Sequence, residues 1–233
     1  MLKPILTLSF LLFFGFGLYA QPKAVGKPRV VAKTSESLER PAWSDNGKAL
    51  YATSLEDGAT WEASSNGKTL NRLPANKSPQ RKSAGSNLLL QQMKSDPRGV
   101  TTKIQGLETL KGYIVFNAVL SPQRDKIVFE VSRGKGMFIC NADGSGLRSL
   151  GTGAECATWT PDGKYVVVQT VKDDGHVILS GELMAIDVAS GERTTLLSSN
   201  DYIALNPSLS PDGKSVAFED RATGVIYVMD IKE

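Results

Sequence analysis

The chain has 233 residues, 41% hydrophobic and 22% charged, with 27 Lys and Arg against 24 Asp and Glu. It is long enough to bury a core, and its composition excludes disordered, collagen-like and polytopic membrane classes. A net charge of +3 with no basic helix or aromatic platform gives no ground for a nucleic-acid partner. One His and two Cys leave little for a metal site or a nucleophile–base pair, and no cofactor is implied.

Residues 1–20 read as an export signal. Lys3 precedes an apolar run from Ile5 to Tyr19, Ala20 is small, and Gln21 opens a polar stretch. The run is about 15 residues, short of the roughly 20 that span a bilayer. Cleavage after Ala20 is expected, leaving residues 21–233 as one periplasmic domain without a transmembrane segment. An uncleaved anchor is the alternative. Next comes Val30-Val-Ala-Lys33, a short strand with no local partner.

Four related segments follow: Pro41-Ala-Trp-Ser-Asp-Asn-Gly-Lys48, Val119-Leu-Ser-Pro-Gln-Arg-Asp-Lys126, Thr158-Trp-Thr-Pro-Asp-Gly-Lys164 and Ser208-Leu-Ser-Pro-Asp-Gly-Lys214. Each precedes a strand-like run: ALYATS, IVFEVS, YVVVQT or SVAFED. In the fullest version Pro211 sets φ, Asp212 bonds its own backbone, and Gly213 supplies positive φ between Ser210 and Lys214, a hairpin signature. The turn hydroxyls Ser44, Ser121, Thr160 and Ser210 are 77, 39 and 50 residues apart. The first interval is nearly double the second, so a degenerate repeat is expected between residues 75 and 112, with strands at Asn87–Met93, Val100–Gln105 and Leu107–Lys111. The third interval is lengthened by Lys172–Glu182, read as an extended hairpin. Third strands are expected at Gly136–Cys140, Glu182–Asp187 and Val225–Asp230, and fourth strands at Leu147–Leu150 and Arg193–Leu197.

Periods near 40 with four short strands are the pattern of propeller blades. The last unit ends at Glu233 without a fourth strand. Val31 lies 13 residues before Ser44, as Leu197 lies 13 before Ser210. The N-terminal strand is therefore expected to complete the last blade and close the ring. The expectation is an all-β propeller of four-stranded blades, five in number, with six as the alternative.

Ser210–Lys214, Val216–Phe218 and Gly224–Asp230 resemble the TolB-type β-propeller repeat, a WD-like repeat built on Pro-Asp, and Phe138–Leu147 resembles its strand-and-turn segment. The resemblance runs over residues 115–233 and 40–73 and fades over 74–112. It covers the propeller only, since the chain has no room for the α/β domain that precedes the propeller in TolB. It implies a periplasmic binding role and does not transfer TolB's own partners.

Few residues invite chemistry. His176, beside Asp173 and Asp174, reads as a hairpin tip ahead of an acid–base or metal site. Asn141, Asp143 and Ser145 alternate as calcium ligands do, but the distal Glu is missing, and an Asx-type turn accounts for them. An oxidising compartment allows a disulfide between Cys140 and Cys156, tying the third strand of one blade to the first of the next; two buried thiols are the alternative. Trp43 and Trp159 stand where Leu120 and Leu209 stand in other units, which points to packing between blades; aromatic sugar platforms in a pocket are the alternative. The stretch 75–86, with Lys77, Arg81 and Lys82, reads as a mobile polar loop or a basic docking loop. The functional expectation is a non-catalytic, monomeric module that binds an envelope or periplasmic protein. A glycan or small-molecule binder, or a lyase, using the central channel is the competing class.

Overall fold

The computed structural model describes residues 21–74, 107–110 and 112–232. They form sixteen strands in four antiparallel sheets of four. The first sheet runs β2 (Leu38–Trp43), β3 (Ala49–Ser54), β4 (Thr60–Ser64) and β5 (Leu70–Arg72). The second runs β6 (Val115–Leu120), β7 (Lys126–Val131), β8 (Gly136–Asn141) and β9 (Arg148–Gly151). The third runs β10 (Glu155–Trp159), β11 (Tyr165–Asp173), β12 (Ile178–Asp187) and β13 (Arg193–Leu197). In the fourth, β14 (Ala204–Leu209), β15 (Ser215–Asp220) and β16 (Val225–Lys232) are completed by the N-terminal strand β1 (Lys23–Ala32).

The outer position of β1 matches the spacing argument, but the strand is longer than Val30–Lys33. It runs antiparallel along β16 from Lys23 opposite Lys232 to Ala32 opposite Ile226, with the register broken between Val25 and Arg29. Gly26 (φ 73°) and Pro28 lie inside that break, where a bulge tolerates what a continuous ladder does not.

The sheets are stacked through apolar seams. Val128, Met137 and Ile139 of the second sheet meet Val166, Val168 and Ile186 of the third. Val167, Leu183 and Ala185 meet Val216, Phe218 and Met229 of the fourth. Ala217, Ile226 and Val228 meet Leu50, Ala52 and Ala63 of the first. Alternate residues of each strand serve opposite seams, as the two-residue period requires. Trp43 and Trp159 confirm the packing reading: their indole N–H groups donate across the seams to the carbonyls of Ser208 (3.0 Å) and Val119 (3.1 Å).

One expected strand changes. The segment begun by Leu107 is not a strand: Glu108–Leu110 is a 3-10 turn. Leu107 and Leu110, three apart and aligned by that turn, are buried on the face of the second sheet that carries Ile127 and Phe129. The expected strands Asn87–Met93 and Val100–Gln105, the signal segment and Lys77, Arg81 and Lys82 lie outside the described residues. Four sheets are thus described, where five or six blades were expected.

The turns of the first, third and fourth sheets follow one hydrogen-bond plan; in the second, with Gln123 in place of the Asp or Asn, Ser121 donates instead to Asp125 Oδ1 (2.8 Å). The Ser210 hydroxyl donates to Asp212 Oδ1 (2.6 Å) and accepts the N–H of Ser215 (3.0 Å). Thr160 with Asp162 and Tyr165, and Ser44 with Asn46 and Ala49, repeat it. Ser64, Asn66 and Thr69 use it again between β4 and β5. Adjacent turns touch: Pro161 lies under Gly213 and Pro211 under Gly47. A Cβ at Gly213, whose φ is +71°, would stand 2.8 Å from Pro161 Cδ, whereas at Gly191 (φ +79°) it would meet open space. Both positions strain an L-residue, by about 1 kcal/mol. Gly213→Ala should therefore lower unfolding free energy by at least about 1 kcal/mol more than Gly191→Ala, as measured by urea titration. Equal losses would remove the turn-to-turn contact from the account.

Candidate functional site

The innermost strands β2, β6, β10 and β14 line an open channel of about 780 Å³. Its described wall includes small residues, Ala42, Ala118, Ala157 and Pro207, with Trp43 and Thr158 deeper in. The strands begin at one face, here the entry face, and end at the turn face carrying the turns that open with Ser44, Ser121, Thr160 and Ser210. At the entry mouth stand Arg40, Asn117, Cys156 and Asn206, one from each strand.

These four share an unusual backbone. Their φ angles are 53°, 50°, 53° and 50°, the left-handed region that non-glycine residues rarely adopt. Each sits at a register slip between its strand and the next, in the intervals Glu39–Ala42, Phe116–Val119, Glu155–Thr158 and Leu205–Ser208. A bulge turns that residue's N–H out of its own ladder, and the preceding sheet takes it. Cys156 N–H donates to Glu130 Oε1 (2.7 Å), Asn206 N–H to Gln169 Oε1 (2.6 Å), and Arg40 N–H to Glu219 Oε2 (2.6 Å). The same carboxylates accept side-chain amides within their own sheets, Asn117 on Glu130 and Asn206 on Glu219, both at 2.9 Å. Where Cys156 replaces the Asn, Gln169 instead donates to Glu155 (3.3 Å).

The energies explain why the bulges persist. A left-handed non-glycine residue costs about 1–2 kcal/mol. A hydrogen bond to a charged group, as to Glu130 or Glu219, returns about 1.5–3 kcal/mol, and one to the neutral Gln169 amide about 0.5–1.5 kcal/mol. Glu130 and Glu219 are only 5% and 3% exposed. Burial pushes both carboxyls above the ordinary glutamate value, and the donated N–H groups oppose that shift without cancelling it.

Cys140 and Cys156 are free thiols, so the disulfide weighed from the sequence is not formed. The pleat is the reason. Met137 and Ile139 of β8 face the third sheet, whereas Cys140 has the opposite parity and joins Ile127 and Phe129 on the far face. Cys156 is at the channel mouth. Burial pushes both thiols up to about 12, helped at Cys156 by Glu130, Glu155 and Glu219 and at Cys140 by Asp143. Neither is a ready nucleophile at neutral pH.

His176 is exposed at the β11–β12 tip, its N–H on Asp174 Oδ1 (2.9 Å). Asp143 Oδ1 accepts both the N–H and hydroxyl of Ser145, the Asx-type turn anticipated. Among the described residues no three His, Cys, Asp or Glu side chains are grouped to hold a metal, and no helix is long and apolar enough to cross a membrane. The inter-sheet acceptors were not read from the sequence. Yet Glu130, Gln169 and Glu219 each follow the turn hydroxyl by nine residues, and the bulge residues each precede it by four.

The exposed apolar side chains gather at the same face as this mouth. Leu55, Ile114, Phe116, Val177 and Leu179 are five of the seven large ones among the described residues; Val25 and Val30 of edge strand β1 are the others.

No family model matches the chain, and no curated protein matches it. Among solved structures it is similar to a TolB structure from Agrobacterium tumefaciens, with 21% identity over 86% of this chain and 60% of that one (TM-score 0.41). It is similar to TolB of Acinetobacter baumannii at 14% identity over 87% and 45% (TM-score 0.33). It is also similar to the propeller domain of the Trilobed protease of Pyrococcus furiosus, which has an open velcro topology, at 11% over 52% and 43% (TM-score 0.36). The chain spans under two thirds of each of these structures. The propeller reading rests on its own four sheets and the seams between them.

The raised carboxyls set a direction for pH dependence. A carboxyl whose folded value exceeds its unfolded value costs nothing below the unfolded value. Its cost grows as pH rises through the interval to the folded value. Glu130→Gln with Glu219→Gln, the residue already used at position 169, keeps the acceptor and removes that cost. The double variant should gain stability over the parent at pH 8 and lose the advantage by about pH 4, read from urea midpoints. Equal advantage at both pH values would contradict the burial assignment.

Proposed function

We propose that the protein is an exported, periplasmic β-propeller that binds a protein of the cell envelope through its entry face, with no covalent step. The observation that carries this reading is the gathering of Leu55, Ile114, Phe116, Val177 and Leu179 on one face. Exposed apolar area concentrated on one side, rimmed by polar loops, is what partners bury. The acceptors nearest the channel, Glu130, Gln169 and Glu219, already hold the sheets together. The wall beyond them is mostly small side chains, which favours a scaffolding ring over a reaction vessel.

The proposal takes five blades, with β1 closing the ring and the protein acting as a monomer. The basic stretch with Lys77, Arg81 and Lys82 is proposed as a second contact, toward acidic groups of the partner. A small-molecule or glycan ligand is the second reading, favoured by a channel volume within the roughly 300–1,000 Å³ range of ligand pockets.

The test is in-cell crosslinking of the tagged protein, read by mass spectrometry, beside a variant lacking Ser78–Ser86. A recurrent envelope protein supports the reading, and its loss from the deletion places the basic stretch at the contact. No specific protein in either sample contradicts the reading and favours the channel ligand. Export is checked separately: amino-terminal sequencing of the periplasmic fraction should begin at Gln21. Retention of residues 1–20 in the cytoplasm would contradict export.

A further inference from the structure

The β11–β12 hairpin stands apart from its equivalents. The second strands β3, β7 and β15 have six residues, whereas β11 has nine and β12 has ten. Beyond Glu155 opposite Gln169 and Leu183 opposite Leu197, the extra length has no neighbouring strand in its sheet. It projects from the entry face as a two-stranded ribbon.

The ribbon is braced. Gly181 bridges to Ile203, and a Cβ at Gly181 would stand 2.7 Å from the Ala204 carbonyl oxygen, so the ribbon's base lies against the start of β14. Its tip is tied. Asp174 Oδ1 accepts the N–H groups of His176 and Val177, and Asp173 Oδ1 accepts that of Gly175. Its register slips between Lys172 opposite Ser180 and Asp173 opposite Ile178, which leaves Leu179 as the extra residue of a bulge. Bulges re-aim side chains. Leu179 is 60% exposed and Val177 57%, the two highest values among the large apolar side chains described. A rigid ribbon holding two bulky apolar groups in water has no use within its own fold.

Charge indicates what covers them. Glu155, Asp173, Asp174 and Asp201 are exposed around the ribbon, against two exposed cations, Lys172 on it and Arg221 at its base, where the Arg221 N–H donates to the Ile203 carbonyl (2.9 Å). Resting on the protein-binding reading above, we infer that this ribbon is a docking arm. Val177 and Leu179 enter an apolar groove of a protein partner, and Lys or Arg side chains on the groove's rim face the acidic collar. A lipid surface fits less well, because the same carboxylates would meet anionic headgroups.

The test needs a defined probe, a displayed library of random 12-residue peptides selected on the immobilised full chain. Selected peptides should pair Lys or Arg with bulky apolar residues. They should bind Val177→Ser/Leu179→Ser roughly tenfold or more weakly, because two apolar anchors are lost, and Asp173→Lys/Asp174→Asn several-fold more weakly. Gly181→Ala, which leaves the tip intact but pushes its base off β14, should also weaken binding. Thermal melting of each variant checks that it folds. Absence of enrichment, peptides that ignore the tip substitutions, or preferential binding to phosphatidylglycerol vesicles would each overturn the inference. A partner crosslinked equally well by the Val177→Ser/Leu179→Ser variant would leave the envelope-binding reading standing and remove the ribbon from it.

Discussion

A backbone N–H turned out of its own strand must find an acceptor, and in this chain the acceptor lies in the preceding sheet. Arg40, Cys156 and Asn206 each hold a left-handed conformation that offers the N–H across the seam to Glu219, Glu130 or Gln169. A sheet separated from its neighbour would keep the strain, and both neighbours would lose a hydrogen bond. The sheets are therefore coupled by direction as well as by apolar area. The seams supply most of the burial, but they slide more readily than a hydrogen bond of 2.6–2.7 Å to a buried side chain.

That coupling divides the two faces. At the turn face the hydroxyl–Asp plan repeats and neighbouring turns touch, so a change in one turn is felt in the next. The bonded bulges lie near the entry face, and the loops beyond them are free to differ. Val131 and Gly136 are joined by a short loop, while β11 and β12 extend into a projecting ribbon. Variation without loss of the frame is what a binding surface needs. The exposed apolar residues fall on the face where such variation is tolerated.

Much of the frame was legible because Pro, Asp and Gly mark the hairpins at fixed offsets. The third and fourth strands followed from those turns, and the outer position of β1 followed from a spacing of 13 residues. Leu107–Lys111 misled because Leu-x-x-Leu fits a buried 3-10 turn as well as a strand, and the choice depends on the sheet beneath it. Cys140 and Cys156 needed the parity of β8, which depends on where Gly136 starts the strand. The bulge residues Arg40, Asn117, Cys156 and Asn206 have no one side-chain type in common. What they share is the left-handed backbone, and for Arg40, Cys156 and Asn206 an N–H offered to the preceding sheet, which only the fold displays. The extended hairpin was visible as an insertion; the bulge at Leu179 and the bracing at Gly181 were not.

Amide hydrogen exchange, followed by NMR, tests the inter-sheet bond most directly. If the bonds to Glu219, Glu130 and Gln169 lock the sheets, the amide protons of Arg40, Cys156 and Asn206 exchange only through global unfolding, no faster than those of core residues Val167 and Phe218. Exchange of those three amides through local opening, orders of magnitude faster than the core, would contradict the account and leave the apolar seams as the sole tie between sheets.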